Sequence, residues 1–497
     1  MIHNFFHQIM AKLLFNFLFL LCFLTQVSTT FAQNNEPNIV LSLEQYLQQV
    51  QSKNLNIIAY NQQQISNEKL AKKSQLITAI KFYSFSERSF AEQNQALQLF
   101  RYSKLYNQNN QVGLNYQSSY GFETNLAYSL NKTNYKNLIL NNNNNNPLFR
   151  SNSQATSSIE LNFALWQNFL GNKTKANISS IYNQHQFIKL NSLGLSMQEK
   201  IEAEIAYWHL FYCQKNVIIQ QQALTSANKI FDYLYKKSQM NLAETNDVLQ
   251  AKAMVQTKKL NLSQAKNQLN QAKIIFNQKR NINNQEVSEN ISEPNIASLQ
   301  SYLFESDLQK QSPQNPFLLA QKNKMQANIA LAEIEKENQK PMLNLYGSYA
   351  RNVAEANTKL AFNNSFDSNN RANSGNIGIQ FSMPINFALT NQIIEGAEQQ
   401  ILAEKNQYQQ QQLQYQNTWQ NLNINGIALQ ENLKLALDIL QIQKNKLNQE
   451  RLLLKKGRTS TYQILMFEQD FSLAEANLWQ IIYQLQQTIA SRQIYNL

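Results

Sequence analysis

Few side chains in this sequence could ligate, attack or shuttle protons. It holds four histidines in 497 residues, and its two cysteines are Cys22 and Cys213. His185 and His209 are 24 positions apart in one helix-forming stretch. That is too far for a shared metal face, so both read as surface or packing residues. Cys213 falls on an apolar seam, where a small packing residue belongs. Two cysteines exclude a disulfide scaffold and a cysteine-based zinc cluster. No Gly-rich phosphate loop, His-Glu-x-x-His or Gly-x-Ser-x-Gly motif occurs, and the sparse carboxylates form no acid/base pair. The expectation is no enzyme, no cofactor and no metal. The net charge of +12 is spread along the chain rather than blocked, so nucleic acid is not an expected partner.

With no chemistry to position, the elements themselves carry the function. Ten glycines and seven prolines are few breakers for so long a chain, which favours long helices. Residues 1–32 read as a secretory signal. Lys12 gives the positive region, Leu13 to Leu24 is apolar apart from Asn16, and Thr30-Phe31-Ala32 resembles a cleavage site. An apolar run of about 12 residues is too short to span a bilayer. An exported chain with no later apolar stretch long enough to span is either periplasmic or part of a β-barrel.

Four segments alternate apolar and polar residues. They are Phe122-Thr124-Leu126-Tyr128-Leu130, Ile159-Leu161-Phe163-Leu165, Leu343-Leu345-Gly347-Tyr349 and Ile377-Ile379-Phe381-Met383. Such alternation fits lipid on one face and water on the other. A soluble antiparallel sheet shows the same pattern. Long polar stretches, Asn141 to Asn146 and Ser365 to Ser374, separate the members of each pair and favour barrel hairpins. The expected lipid-facing residues are Phe122, Leu126, Tyr128, Ile159, Leu161, Phe163, Ile379 and Phe381. Four strands cannot close a barrel, so several copies must share one.

Between the strand pairs the period changes to that of helices. From about Asn172 to residue 240, and again from about Asn391 to Lys456, the sequence predicts helices of about 100 Å at 1.5 Å per residue. Ala203, Ala206, Leu210, Cys213, Val217, Gln220 and Leu224 make a coiled-coil seam in the first. The phase of Val248 to Phe276 returns at Ile464 to Thr488 with a constant offset of 216. The expected organisation is a signal at 1–32, then repeat one at 33–281 with a hairpin at about 112–167 and a tip turn near 238–247. An irregular polar connector at 282–314 follows. Repeat two, at 315–497, has a hairpin at about 341–385 and a tip turn near 457–463. Stacked end to end, the helices flanking each hairpin and turn equal one long helix in length.

In this order the motifs resemble the TolC family of outer-membrane efflux proteins. Leu41-Ser42-Leu43-Glu44-Gln45-Tyr46-Leu47 with Asn54-Leu55-Asn56 is similar to the family's opening helix. Leu165-Trp166-Gln167-Asn168-Phe169-Leu170-Gly171-Asn172 resembles its exit from the first hairpin, and Phe381-Ser382-Met383-Pro384-Ile385-Asn386 its exit from the second. The resemblance implies a mainly α protein with a β part, forming a homotrimer in the outer membrane of a Gram-negative bacterium. Three chains of four strands would make a 12-stranded barrel in outer-membrane lipid, above a long periplasmic α-barrel. It implies an exit duct of a tripartite efflux or type I secretion system, docked to a periplasmic adaptor (membrane fusion) protein and an inner-membrane transporter. The alternative is an exported coiled-coil structural or adaptor protein with no barrel. The resemblance places docking and gating at the tips: Asp247 and Val248 in one, Gly457, Arg458, Thr459 and Ser460 in the other. Asp247 and Arg458 are candidates for a latch between protomers, and Gly457 for a positive-φ turn residue matched by Ser238 in repeat one. The aspartate ring of some members is absent, since Gln463 and Met466 occupy its positions, with Glu468 nearby.

Overall fold

The two long helices form where proline is absent, and the second starts at a side-chain cap, Asn386 accepting from the Leu389 amide. A computed structural model describes residues 40–92, 100–101, 104–136, 139–140, 151–242, 244–284, 286–287, 289–304, 314–367, 372–456 and 458–495. The signal segment, the Asn141–Asn146 stretch and Gly457 lie outside the described residues. Residues 40–42 with 289–292 belong to a small unit of their own, which contains a parallel pair of β1 (Val40–Leu41) and β8 (Asn290–Ile291). The other unit holds all else.

In that larger unit, α1 (Leu43–Lys53) and α2 (Leu55–Leu70) lead into four strands of the main sheet. These are β2 (Lys81–Glu92), β4 (Lys104–Gln117), β5 (Phe122–Lys136) and β7 (Ser151–Ala164). A short pair, β3 (Phe100–Arg101) with β6 (Ile139–Leu140), joins two of the connecting segments. Then come α3 (Asn172–Gln239, 68 residues) and α4 (Thr245–Lys279, 35 residues). The segment after α4 contains a short α5 (Ile296–Ser301). The second half runs α6 (Pro316–Asn338), β9 (Met342–Glu355), α7 (Thr358–Asn364), β10 (Ala372–Ser382), α8 (Phe387–Lys455, 69 residues) and α9 (Thr461–Arg492, 32 residues). The chain is thus mainly helical with a β part, and α3 and α8 each span about 100 Å.

The sheet corrects the expected strand count. It is six-stranded and antiparallel, in the order β10-β9-β7-β5-β4-β2. The four segments that alternate in sequence are β5, β7, β9 and β10; β2 and β4 are additional, and the first sheet-forming region starts at Lys81 rather than near 112. Six strands per chain also remove the basis for a total of 12.

The Trp166–Asn172 motif explains how sheet and helix join. The Gln167 side-chain amide donates to the Glu337 and Asn338 carbonyls at 3.2 and 3.1 Å, capping the end of α6. Asn168 takes a left-handed backbone and its side chain accepts from the Thr174 amide at 3.0 Å. Gly171 has φ +77°, and a Cβ there would lie 1.8 Å from the Ser119 carbonyl oxygen. Only glycine fits such an approach.

Asn54 joins two helix ends. Its side-chain oxygen accepts from the Asn56 and Ile57 amides at 2.9 and 3.1 Å, capping α2, while its amide donates to the Lys279 carbonyl at 2.8 Å, where α4 ends. Orphan groups of both termini are satisfied by one residue. Asn315 caps α6 in the same way, accepting from the Phe317 amide at 2.8 Å.

Part of the connector is packed core rather than irregular and polar. Leu299 and Phe304 are buried against Leu429 and Leu433 of α8 and Ile482 and Leu485 of α9. Gly426 in α8 makes room for Phe304, whose ring a Cβ would strike at 2.1 Å. The Arg492 guanidinium covers the same aromatic group, 5.0 Å from the Phe304 ring and 4.8 Å from Trp419.

Candidate functional site: a two-faced sheet and a helix tip

The pairing register sorts side chains onto two faces, because alternate residues point to opposite sides. One row runs Phe82, Leu114, Leu126, Ile159, Tyr349; the next rows toward the helices bring Leu161, Gly347 and Ile377 into line, and then Phe122, Phe163, Leu345 and Ile379. All eight residues expected to face lipid share this side. Most are open to the surroundings: Leu126 is 44%, Leu161 52% and Ile379 69% exposed. Tyr128 is partly covered. Its hydroxyl lies 2.9 Å from the Ser365 hydroxyl, and its ring meets Phe362 edge-on and stacks on Phe366, because α7 folds back over this end of the face.

The opposite face is polar. A recess of about 670 Å³ opens on it, lined among others by Tyr83, Glu123, Asn125, Glu160, Ser348 and Asn376. The Tyr83 hydroxyl donates to Asn125 at 2.9 Å, and the Asn125 amide donates to Glu160 at 3.2 Å. A sheet apolar on one side and hydrogen-bonding on the other can separate lipid from water. Its outermost strands, β2 and β10, each present an edge with no partner strand among the described residues.

The far ends of the helices bring the two tip turns together. Asp247, Thr459 and Ser460 line one cleft of about 300 Å³ with Leu242, Gln250 and Tyr462. Ser460 caps α9 by accepting from the Gln463 amide at 3.3 Å, and Thr459 donates to Glu450 of α8. Val248 is a packing residue, set against a cluster of Ile230, Leu234, Ala251, Ile464 and Leu465. Asp247 and Arg458 form no ion pair with each other within one chain among the described residues. The left-handed residue of the first turn is Asn241 (φ 57°), not Ser238, which still belongs to α3. The offset of 216 pairs Asn241 with Gly457. Asparagine tolerates that conformation. Sequence reading missed the exposed apolar rim of the tip: Met240 (69%), Leu242, Leu249 and Tyr462.

Glu468 does not stand in for the missing aspartates as a free charge, since it pairs with Arg451 at 3.1 Å. Asp470 pairs with Lys446 at 3.4 Å. His185 Nδ1 lies 2.8 Å from the Asn67 side-chain oxygen, and burial lowers the pKa of His209. Burial pushes the Cys213 thiol up to about 11. Among the described residues no group of His, Cys, Asp and Glu could hold a metal ion. No described helix is long and apolar enough to cross a membrane.

No family model and no curated protein matches the chain. Solved structures do. The outer membrane protein VceC from Vibrio cholerae superposes with a TM-score of 0.59 at 13% identity, over 91% of this chain and 95% of that one. The Campylobacter jejuni CmeC outer membrane channel gives 0.60 at 12%, over 95% and 93%. The open-state Neisseria gonorrhoeae MtrE outer membrane channel gives 0.58 at 11%, over 95% of each. The chain has the fold of the TolC-type outer-membrane channels. The similarity extends over both the helices and the sheet.

Proposed function

We propose that the chain is one subunit of an outer-membrane exit duct for efflux or type I secretion. The observation that carries this is a single open sheet with one apolar face, one polar face and two unpaired edges, continued by helices of 68 and 69 residues. In lipid, every backbone group left unpaired at an edge costs several kcal/mol. Pairing β2 of one copy with β10 of the next removes both edges. In a homotrimer, three times six strands makes a barrel of about 18.

The helices support the same assembly. Leu402, Leu413, Ile424 and Leu435 of α8 recur at a step of 11 and are each about half exposed in the single chain. An 11-residue period keeps a stripe on one side of a nearly straight helix. In the trimer this stripe packs against a neighbouring copy, and the joined helices enclose a periplasmic tunnel. The exposed rim at Met240, Leu242, Leu249 and Tyr462 receives the periplasmic adaptor, which couples the duct to an inner-membrane transporter that selects the cargo. Asp247 and Arg458, both exposed, meet across protomers to hold the tip shut. A single exposed pair is worth only about 0–1 kcal/mol, so the latch works through repetition around the trimer.

Membrane extraction tests the reading. A duct subunit leaves the outer-membrane fraction only with detergent and runs as an oligomer that heat dissociates. Release as a monomer by a salt wash would instead fit the soluble coiled-coil alternative. Asp247→Lys or Arg458→Glu should raise the conductance of the reconstituted channel, with the double reversal restoring it; wild-type conductance in both single variants would discard the latch.

A further inference from the structure

Cations gather on the apolar face of the sheet on the side away from the helices, where they outnumber the carboxylates Glu92 and Glu355. Along β5 the residues on this face run Phe122, Thr124, Leu126, Tyr128, Leu130 and then Lys132, Asn134, Lys136. On β9 the same face runs Leu343, Leu345, Gly347, Tyr349, Arg351, Val353 and Glu355. Strands β2 and β4 add Arg88 and Lys104. The register sets Arg88, Gln108, Lys132 and Ser153 in one row across four strands. Arg351 borders the same surface depression as Tyr128, Ile159 and Tyr349. Lys136 lies over the Tyr106 ring at 5.6 Å, and Lys104 pairs with Glu92.

The opposite face has the reverse balance of charge. It carries Glu87, Glu123 and Glu160, and its strand cation is Lys81, at the helix end. Of the two carboxylates on the cationic side, Glu92 pairs with Lys104 and Glu355 accepts from Asn364, so a merely solvated surface has no reason for the remaining excess of cations on one face. A lipid-facing surface does, because a cation costs about 2–4 kcal/mol at the bilayer midplane but only about 0–1 near the interface. Among the cations sit Tyr128, in the row of Arg351, and Tyr106, one row beyond Arg88 and Lys132; with Phe362 and Phe366 they are amphipathic or aromatic groups suited to the headgroup boundary. Asn110, Gln108, Ser153 and Asn134 separate the cations with neutral hydrogen-bonding groups.

We infer that this outward basic border binds the phosphate groups of a phosphorylated glycolipid in the outer leaflet, with Arg88, Lys132 and Arg351 as the principal cations. Arg88, Lys132 and Arg351 enter no ion pair among the described residues. Their long stems lie over the strands while the charged heads reach the phosphate plane. The neutral amides and hydroxyls between them suit sugar hydroxyl groups. This inference rests on the membrane-spanning reading above.

The test uses the full chain, purified in detergent as its oligomer and titrated with bisphosphoryl lipid A, with the same lipid after dephosphorylation, and with inorganic phosphate as competitor. Wild type should prefer the phosphorylated lipid. Arg88→Gln/Lys132→Gln/Arg351→Gln should bind it on the order of 100-fold more weakly, and Lys132→Gln alone roughly fivefold, from about 1 kcal/mol per interfacial cation. Glu87→Gln, on the other face, should leave binding unchanged. Should the triple variant fail to assemble, Lys132→Gln and the charge-keeping Arg351→Lys decide between loss and retention. Equal binding of both lipid forms, unchanged affinity in the cation variants, or equal competition by inorganic phosphate would overturn the inference. A chain that never enters the outer-membrane fraction defeats the duct reading itself, whereas an inserted oligomer without phosphate preference defeats only the lipid site.

Discussion

The two halves of the larger unit agree in their helices and differ in what lies between them. Their long helices have 68 and 69 residues and the helices after the tips 35 and 32. Yet the first half contributes four strands to the main sheet and the second two, with α7 in the loop. Helices that pack side by side over tens of ångströms must keep length and phase, since one added residue rotates every later contact by about 100°. A sheet tolerates a whole extra hairpin, provided its length and its two faces match. The helical scaffold is therefore fixed in length, and the sheet is free to grow by pairs of strands.

The largest test of this difference is excision of residues 81–117, the hairpin with no counterpart in the second half. If six strands per copy are needed for closure, the heat-dissociable oligomer should vanish; persistence would mean that this hairpin stands outside the closed barrel. Next in size, Leu126→Arg on the apolar face should cost about 2–4 kcal/mol and block assembly, while Asn125→Arg on the polar face should assemble. Gel mobility before and after heating reads both. Smaller again is the contrast between the two caps. Asn54→Ala and Asn315→Ala should each cost about 0.5–2 kcal/mol, with Asn54 the more costly because it serves two helix ends. Denaturant midpoints measured in detergent rank them.

The smallest effect is a pH dependence at Glu204, which accepts from Gln493 at 2.8 Å where the first half meets the end of the second. Burial raises its pKa. A carboxyl with a raised folded pKa adds stability that is complete below its unfolded pKa and is lost as pH rises through the folded value. Glu204→Gln should therefore flatten the decline of thermal midpoint in that window and leave the midpoint unchanged below it.

Much of this was legible in the residues. The helices declared themselves through long apolar spacing without breakers, and Asn54 and Asn315 marked two of the starts. Strands β5, β7, β9 and β10 showed alternation because Leu, Ile and Phe lie opposite Asn, Ser and Glu. Strands β2 and β4 did not. On β2 the residues on the apolar face are Phe82, Ser84, Ser86, Arg88, Phe90 and Glu92, and on β4 Gln108 and Asn110 interrupt the row. Polar residues on the outward face erase the period-two signal, and asparagine has low strand propensity. At the tip, Asp247, Thr459 and Ser460 were found by motif order, but their shared cleft depends on how two turns 216 residues apart in sequence meet in space. The exposed rim was hidden because nothing in the spacing of Met240, Leu242 and Leu249 tells an exposed apolar side chain from a packed one; the fold leaves them outside.

Both end-to-end joints fall beside the same stretch of α3. Asn56, next to Asn54, donates to Glu199 at 3.2 Å, and Lys279 pairs with Glu199 and Glu202 at 3.0 and 2.6 Å. Gln198, Ile201 and Glu202 line the cleft that contains Asn315 and Tyr495. At this height, among the described residues, α3 and α8 run through as unbroken helices. A torque applied at one end meets two elastic rods and two butt joints, so strain collects in a single transverse plane.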